Sequence, residues 1–301
     1  MKKIIALVLA LTMLGCLFAG CGSSKTAATE PAANAADTAE TPDYASMTID
    51  ELKPLIKTVN EGKLTMVTSP DFAPYEFYAL DADGNPTLAG FDIALGQYIA
   101  DYLGLELEVV PMDFDGTIME LQNKKVDLSM AGYSPDPDRE DSMDFSDIYI
   151  TGGQSFVCLD TTAEKFPDLA SANNPDYTIG AQIGSIQADL AHTNTPDADI
   201  IEMAKVTDII AELITGKMDG AFIETMVAES YEKNYPELCV VLEVPYDAEG
   251  SVVGVSKGNE ALLAGVNEAI AAALADGSMA NFVATANEQA SGEIIEGLLE
   301  G

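Results

Sequence analysis

The stretch 114–149 reads FDGTIMELQNKKVDLSMAGYSPDPDREDSMDFSDIY and holds three patterns in succession. The apolar spacing of GTIMELQNKK predicts a helix, and the short apolar run VDLSM predicts a strand. The chain then becomes polar and acidic and reaches Arg139, the only arginine among the 301 residues. A helix, a strand and a charged loop in this order are typical of an α/β fold.

Arg139 is surrounded in the sequence by the acids Asp136, Asp138, Glu140 and Asp141. One interpretation of this cluster is a surface ion pair, which contributes little to stability. The other is a fixed two-pronged donor for an anionic ligand, a role that lysine fills poorly because its ammonium is a point charge.

The alternation of strands and helices continues on both sides of this stretch. Upstream, LTMVT and LELEVV are predicted strands, and GFDIALGQYIADYLG is a predicted helix that ends at Gly104. Downstream, strands are predicted at YTIGA, ADIIEM, DGAFI, LCVVLE and VVGVS, and helices from Ser185, over VTDIIAELITG, from about Glu224 and over 259–275. This rhythm favours mostly parallel sheets. About 250 ordered residues exceed what one open sheet needs, so we expect two α/β lobes.

The N-terminus is typical of an exported lipoprotein. Two lysines precede the apolar run IIALVLALTMLG, which predicts a signal peptide over residues 1–20. LFAGCGSS then resembles a bacterial lipobox, in which Cys21 is lipidated after cleavage just before it. Cys16 is a weaker candidate, because the bulky Leu14 stands where a small residue is usual. The alternative is an ordinary secretory signal with a chance cysteine.

Residues 21–47 are rich in Ala, Thr, Glu and Pro and nearly lack large apolar side chains, which predicts a disordered tether. The signal run is too short for a stable spanning helix, and no later segment approaches the ~18 to 20 apolar residues that a membrane helix needs. We therefore expect a chain anchored by lipid to the outer face of the cell membrane rather than one that spans it.

The composition disfavours several functional classes. A net charge of −36 repels nucleic acid, so no nucleic-acid partner is expected. His192 is the only histidine and the chain has no CxxC motif, so metal sites and hydrolase triads are poor candidates and no cofactor is expected. Cys158 and Cys239 lie in apolar runs that predict buried strands. Two free thiols or a disulfide are both compatible with the sequence.

Three stretches together resemble the type 3 family of bacterial extracellular solute-binding proteins, the amino-acid receptors of ABC importers. They are SPDFAPYEF (69–77), GFDIALGQYIADYLG (90–104) and the stretch at 114–149, and the similarity extends over nearly all of 62–285. The resemblance implies a type II periplasmic-binding-protein-like fold, with two α/β lobes that close on a ligand and two hinge crossovers. It also implies a monomer that binds a free amino acid and delivers it to an ABC transporter permease.

The resemblance assigns ligand contacts to the first lobe. In this family an arginine shortly after AG-x-S/T clamps the α-carboxylate of the ligand, and Arg139 lies five residues after Ser134, as the pattern requires. Phe72 and Phe114 match the two aromatic residues that sandwich the ligand side chain. Gly132 and Ser134 match positions that offer a backbone carbonyl and a hydroxyl to the charged ends of the ligand.

The resemblance assigns further contacts to the second lobe. Ser185 and Ile186 lie at a predicted helix start, where free N–H groups favour an anion. Gln182 and Gln187 flank this turn. Glu224 stands where relatives carry an aspartate for the α-ammonium of the ligand. The alternative role for Glu224 is that of an acid capping the helix that follows.

The ligand's side-chain class depends on Ser69. Relatives that bind lysine, arginine or histidine tend to carry an acid at this position, so the resemblance favours a polar uncharged or small amino acid. Asp71 is near in sequence and could substitute for the missing acid.

The resemblance also predicts how the chain divides. We expect residues 48–152 and 253–301 in the first lobe and residues 153–252 in the second, with bending concentrated at 151–153 and near 247–251, where glycines relax the dihedral limits.

Two other functions remain open at the level of sequence. Cyclohexadienyl dehydratases resemble the same family, and such an enzyme needs a general acid or base in the cleft. Glu224 is the one acid that the motifs place there, and its expected partner is an ammonium, so we expect a binding protein rather than an enzyme. A sensor that presents the ligand to a membrane kinase is the third possibility.

Overall fold

The computed structural model describes residues 42–81, 83–246 and 250–291. The predicted signal peptide, Cys21 and most of the predicted tether lie outside the described residues. The strands are β1 (Lys63–Thr68), β2 (Asp71–Phe72), β3 (Glu76–Leu80), β4 (Pro86–Ala89), β5 (Glu106–Pro111), β6 (Leu128–Ser129), β7 (Met143–Phe145), β8 (Gln154–Leu159), β9 (Thr178–Gln182), β10 (Asp199–Met203), β11 (Gly220–Glu224), β12 (Leu238–Val244) and β13 (Gly254–Ser256). The helices are α1 (Ile49–Leu52), α2 (Phe91–Leu103), α3 (Phe114–Gln122), α4 (Leu169–Ala172), α5 (Ile186–Asn194), α6 (Val206–Ile214), α7 (Thr225–Asn234), α8 (Glu260–Asp276) and α9 (Ser278–Ala290).

The described residues form two five-stranded sheets, which define two α/β lobes. The sheet of lobe 1 has the order β5-β1-β6-β13-β7, and the sheet of lobe 2 has the order β10-β9-β11-β8-β12. A three-stranded antiparallel sheet, β2-β3-β4, belongs to the part of the chain between β1 and α2.

The expectation of mostly parallel sheets is only half correct. In lobe 1, β1 is parallel to β5 and β6, but β13 is antiparallel to both its neighbours. In lobe 2, β9 is parallel to β10 and β11, but β8 is antiparallel to both its neighbours. β13 and β8 are each the first strand after a passage of chain from the other lobe. Each of these two strands enters its sheet at the end where the neighbouring strands finish. It therefore runs in the opposite direction to them.

Each lobe has an apolar core built on its sheet. In lobe 1, α2 buries Phe91, Leu95, Ile99 and Leu103 on the predicted stripe, and Gly104 ends the helix at φ 76°. In lobe 2, Phe156 packs edge-on against Phe166 and Phe222, with ring centroids 5.1 and 5.3 Å apart. The helix predicted at 259–275 is α8, and α9 follows it after a bend at Gly277 that the sequence did not indicate.

The chain passes between the lobes twice, and the two passages lie side by side. Ile150 and Ser251 form an isolated antiparallel bridge, in which the Ser251 N–H donates to the Ile150 carbonyl at 2.8 Å. The Tyr149 N–H donates to the Ser251 carbonyl at 3.0 Å. Residues 247–249 of the second predicted hinge lie outside the described residues. The predicted lobe boundaries stay a proposal.

Among the described helices, none is by itself long and apolar enough to cross a membrane. The α8–α9 pair, bent by 79°, passes that test only when its two members are taken together.

Candidate functional site

The candidate site lies at the carboxyl ends of strands from both sheets, where α/β folds place their ligands. Ser69 follows β1, and Gly132 follows β6 after two residues. Gln182 is the last residue of β9, and Glu224 is the last residue of β11. The fold therefore aims predicted residues of lobe 1 and of lobe 2 at the same cleft.

An aromatic wall in lobe 1 is held close to the backbone of Gly132. Phe72 is 7% exposed, and its ring centroid lies 5.4 Å from that of Tyr75. Gly132 has φ +60°, and a Cβ at this position would lie 2.7 Å from the Phe72 ring. Only glycine satisfies both the left-handed backbone and this close approach. Ser134, two residues further, is also buried.

Arg139 ends a short 3-10 turn, Pro137–Arg139, and its side chain is only 11% exposed. Its Cζ lies 5.8 Å from the ring centroids of both Phe114 and Tyr133, which pack against each other. Its Nη2 donates to the Gly184 carbonyl at 2.9 Å, and its Nε lies 3.5 Å from Asp136 Oδ2. Gly184 belongs to lobe 2, so the guanidinium contacts both walls of the cleft.

The start of α5 forms the opposite wall, and one detail differs from the prediction. Ser185 is the N-cap of α5, and its Oγ accepts from the Ala188 N–H at 3.3 Å. The N–H of Ser185, predicted to be free for an anion, donates instead to the Gln182 carbonyl at 3.2 Å, because the chain makes a turn before the helix begins. Ile186 is buried, and the amide of Gln187 donates to Gln154 Oε1 at 2.8 Å.

Glu224 fills one of the two roles that the sequence left open, that of an acid that caps the following helix. Its Oε2 accepts from the Val227 N–H at 3.0 Å and so caps α7. Its Oε1 is buried and has no hydrogen-bond partner among the described residues. That oxygen faces the first passage between the lobes, since a Cβ on Gly152 would lie 2.7 Å from it. Burial raises the pKa of Glu224 to about 7, and the hydrogen bond from Val227 opposes that rise.

Asp71 links the two lobes through hydrogen bonds that the motifs did not predict. Its Oδ1 accepts from Ser69 Oγ at 2.8 Å within lobe 1. Its Oδ2 accepts from Gln182 Nε2 at 3.2 Å and from the Val206 N–H at 2.6 Å, both in lobe 2. Burial raises the pKa of Asp71 to about 6. Ser69 therefore acts on the site through Asp71.

Two fully buried acids, Asp92 and Glu76, lie behind the aromatic wall of lobe 1. The sequence analysis did not predict either of them. Asp92 accepts hydrogen bonds from the Gly132 N–H at 3.2 Å and from the Tyr149 hydroxyl at 2.7 Å. It therefore connects the loop after β6, which holds Gly132, to the segment that leads into the first passage between the lobes. Burial raises the pKa of Asp92 to about 6. Burial and the charge of Asp92 raise the pKa of Glu76 well above its usual range. Asp92 resembled an ordinary acid in a first helical turn, so no local signal marked it.

The mouth of the cleft holds a cavity of about 260 Å³. Its lining residues come from both walls and are Asp136, Asp138, Ile186, Asp189, Leu190, Thr193 and Tyr246. A larger depression of about 620 Å³ lies along α8 and contains none of the predicted ligand residues. The described residues contain no group of His, Cys, Asp and Glu that could hold a metal ion.

The structure therefore brings ten of the predicted residues to the cleft walls through the contacts above. They are Ser69, Phe72, Phe114, Gly132, Ser134, Arg139, Gln182, Ser185, Ile186 and Glu224. Gln187 is the eleventh predicted residue, and its amide donates to Gln154, the register partner of Glu224.

Residues 64–286 match the family model described as bacterial extracellular solute-binding proteins, family 3. The chain belongs to this family. Family 3 members similar to it include the arginine-binding extracellular protein ArtP of Bacillus subtilis, 32% identical over 203 residues, which cover 66% of this chain and 76% of ArtP. A cyclohexadienyl dehydratase of Pseudomonas aeruginosa is 26% identical over 194 residues, which cover 64% of this chain and 71% of the enzyme.

A solved structure shares the fold. The substrate-binding protein AbpA of Streptococcus pneumoniae, crystallised with L-arginine, has a TM-score of 0.74 and 28% identity, with 77% of this chain and 98% of AbpA covered. The fold of this family 3 chain is therefore that of the type II periplasmic binding proteins, as the sequence predicted.

Proposed function

We propose that the chain is an extracellular receptor that binds a free amino acid between its two lobes and delivers it to an ABC importer permease. The observation that carries this proposal is the position of Arg139. The single arginine is nearly buried between two aromatic rings and faces the start of α5 across the cleft. A surface ion pair needs neither the burial nor the rings.

The groups around the cleft suit the two charged ends of an amino acid. The guanidinium of Arg139 can donate two parallel hydrogen bonds to an α-carboxylate, and a cleft strengthens this contact by excluding water. Oε1 of Glu224 is a buried acceptor with no partner among the described residues, which suits an α-ammonium. Phe72 and Phe114 supply apolar surface for the ligand's side chain.

We infer a polar uncharged or small side chain for the ligand. Asp71 already accepts three hydrogen bonds from the chain, so a cationic side chain would have to compete with Gln182 and Val206 for this carboxylate. ArtP is named as an arginine-binding protein and AbpA was crystallised with L-arginine, which supports the alternative of a ligand with a cationic side chain. In that case the ligand's guanidinium would replace the Gln182 amide at Asp71.

A calorimetric screen of the twenty amino acids tests the proposal. We expect binding of at least one amino acid with its α-carboxylate and α-ammonium intact, and loss of that binding when the carboxylate is converted to an amide. Arginine and citrulline have nearly the same shape and differ in charge, so their affinity ratio reports the side-chain class. If none of the twenty amino acids binds, the proposal that the chain is an amino-acid receptor is wrong.

The proposed attachment to the membrane rests on the lipobox-like LFAGCGSS. Intact-mass analysis of protein extracted from membranes should give a chain that starts at Cys21 and carries acyl mass. A chain that starts elsewhere and carries no lipid would contradict the anchor.

The second candidate is a dehydratase, and one observation favours it. A buried carboxyl with a pKa near 7 can donate or accept a proton at neutral pH, and Glu224 is such a group. The similarity to the cyclohexadienyl dehydratase gives the substrate to try. Formation of phenylpyruvate from prephenate, lost in Glu224→Gln, would establish the enzyme in place of the receptor.

A further inference from the structure

Tyr75 of lobe 1 places its hydroxyl at the junction of the two lobes. The residue lies between β2 and β3 and is fully buried. Its hydroxyl accepts a hydrogen bond from Ser251 Oγ at 3.3 Å, in the second passage between the lobes. A Cβ on Gly152, in the first passage, would lie 3.2 Å from the same oxygen. One hydroxyl of lobe 1 therefore lies against both passages.

The ring of Tyr75 is part of the aromatic wall of lobe 1. Its centroid lies 5.4 Å from that of Phe72 and 4.3 Å from that of Phe91. A Cβ on Gly132 would lie 3.4 Å from the ring. Close packing on this scale leaves an aromatic ring little freedom, so the packing of the wall fixes the position of the hydroxyl.

The hydroxyl is a neighbour of the unpartnered oxygen of Glu224. The Cβ position of Gly152 that lies near the Tyr75 hydroxyl also lies 2.7 Å from Glu224 Oε1, so both oxygens are on the same side of this glycine. Oε1 is buried and accepts no hydrogen bond from the described residues. The hydroxyl donates to Met226 Sδ at 3.8 Å, and a thioether is a weak acceptor. Rotation of the hydroxyl can redirect its proton to a carboxylate, which accepts far more strongly.

We propose that Tyr75 is a positioning residue for ammonium binding, whose hydroxyl donates to Oε1 of ionised Glu224 and holds that carboxylate for the ligand. The proposal rests on the proposed function, in which Glu224 binds the α-ammonium of an amino acid. An acid must be ionised for this role, and burial disfavours the ion. A hydrogen bond to the charged form offsets part of that cost, and a carboxylate oxygen keeps a lone pair for the ammonium.

The electrostatics around Glu224 agree with this geometry. Burial raises the pKa of Glu224 to about 7, and the Val227 N–H and the Tyr75 hydroxyl both oppose that rise. On β8, the register partner of Glu224 is Gln154, which carries no charge. The hydroxyl of Tyr75 therefore adds a donor from lobe 1 to those that lobe 2 supplies.

Tyr75 stays protonated over the range in which Glu224 titrates, as a donor must. Burial raises the pKa of Tyr75 well above its usual range, and the charges of Glu224 and Asp92 add to that rise. Tyr149, whose hydroxyl donates to Asp92, and Glu76 are further titratable groups on this side of the ring. The pKa of Asp92 is about 6, so its titration lies below that of Glu224.

A carboxyl ¹³C NMR titration of the full chain tests the contact without any ligand. The resonance of Glu224 is the one that Glu224→Gln removes. Tyr75→Phe deletes only the hydroxyl, and we expect Glu224 to titrate about one pH unit higher in this variant, given the strength of a hydrogen bond to a charged group. If Glu224 titrates at the same pH in both proteins, the proposal is wrong, whether or not an amino acid binds.

Ser251→Ala is the control for a purely structural role at the junction of the lobes. It deletes the hydrogen bond that the Tyr75 hydroxyl accepts and leaves the proton of that hydroxyl in place. Glu224 should then titrate close to its wild-type pH. An equal rise in Ser251→Ala and Tyr75→Phe would show that the hydroxyl acts through the second passage and not on Glu224.

The pH profile of affinity connects the contact to binding. For an amino acid that the wild type binds, calorimetry should find Tyr75→Phe about tenfold weaker at pH 6 and within about threefold of wild type at pH 8.5, where Glu224 is ionised in both proteins. In a Glu224→Gln background, Tyr75→Phe should cause no further loss. Equal losses at the two pH values would refute positioning. If the wild type binds no amino acid, the proposed function fails, and the NMR titration still decides whether Tyr75 acts on Glu224.

Discussion

Arg139 has its donors engaged within the chain, and this shapes what a ligand must do. Its guanidinium donates to the Gly184 carbonyl and lies near the Asp136 carboxylate. The proposed α-carboxylate would take over these donors with better geometry, because two oxygens match the two prongs of a guanidinium. A ligand would therefore compete with the contacts that Arg139 makes within the chain.

We expect Arg139→Lys to lose most ligand affinity although the charge is retained. A poorly paired carboxylate in a desolvated site costs about 2 to 5 kcal/mol, which corresponds to a ~30- to 4,000-fold loss. The chain has no tryptophan, so ligand-induced thermal shift is the suitable measurement. Wild type with ligand at ~100 times its Kd should gain ~2.7 kcal/mol, and the variant should gain little.

The control for this variant is Lys217→Arg, which exchanges bases at an exposed ion pair with Glu212. It should leave the thermal shift unchanged. If Arg139→Lys instead melts much earlier than wild type without ligand yet still responds fully to the amino acid, Arg139 is a structural ion pair.

Glu224 should make stability and affinity depend on pH in opposite directions. Its folded pKa, about 7, lies above its ordinary value of 4.5, so the folded chain binds more protons than the unfolded chain between these values. Unliganded stability should therefore fall as pH rises from 4.5 to 7, by up to about 3 kcal/mol. An ammonium needs the carboxylate, so ligand affinity should rise over the same range, by up to about tenfold per pH unit.

Glu224→Gln should reduce the pH dependence of stability and the pH dependence of ligand affinity. Asp71 and Asp92, with pKa values of about 6, should keep part of the pH dependence of stability. Calorimetry in buffers of different ionisation enthalpy should detect protons released when the ligand binds near pH 6. An affinity that stays constant from pH 5 to pH 8 in the wild type would exclude Glu224 as the ammonium partner.

At the scale of residues, the sequence predicted those site positions that stand in recognisable motifs. Arg139, Phe72 and Glu224 could be named because each has a fixed spacing from its motif. The link that Asp71 makes to lobe 2 and the role of Asp92 could not be predicted, because they depend on burial and on donors distant in sequence, such as Val206 and Tyr149. Burial of this kind is decided by tertiary packing rather than by local pattern.

At the scale of elements, the loop after β6 packs closely against β2 because Gly132 has no side chain. Gly132→Ala should displace the Phe72 ring, since the new Cβ would lie 2.7 Å from it. We expect at least tenfold weaker ligand binding, together with about 1 to 2 kcal/mol of backbone strain at φ +60°.

Gly104→Ala is the matched control, because Gly104 has φ +76° and nothing within 4 Å of the position of a Cβ. Both variants should lose similar stability in chemical denaturation, and only Gly132→Ala should lose affinity. Equal affinity in the two variants would show that Phe72 does not need this contact.

The elements that the sequence predicted are those with a strong period of their own. The amphipathic α2 and α6 and the apolar β1 and β11 were predicted because their own residues are patterned. The short β2 and β7 were missed, because polar residues and proline surround them in place of an apolar run and they exist only through pairing with neighbours.

At the scale of the molecule, the Asp71 carboxylate joins the two lobes through hydrogen bonds. Asp71→Asn should weaken this connection, because the Gln182 amide and the Val206 N–H both donate to Oδ2, and a neutral amide oxygen accepts them less strongly than a carboxylate oxygen does. We expect about tenfold weaker binding of every amino acid that the wild type binds, measured by calorimetry.

Ser69→Ala is the control, since it removes only the donor within lobe 1. It should weaken binding less than Asp71→Asn. If Asp71→Asn weakens arginine alone and leaves the neutral ligands unaffected, Asp71 pairs with a cationic side chain instead of closing the lobes.

The position of β13 between β6 and β7 has a consequence for how the molecule is made. Lobe 2 has all its strands once β12 has crossed the membrane. It can therefore fold before the rest of the chain has been exported. Lobe 1 cannot, because its sheet lacks its fourth strand until residues 254–256 appear. During that interval the edge of β6 has no partner on one side, and an open edge is a template for pairing with another chain. The passage of the last residues across the membrane is therefore the period in which this protein is most exposed to aggregation.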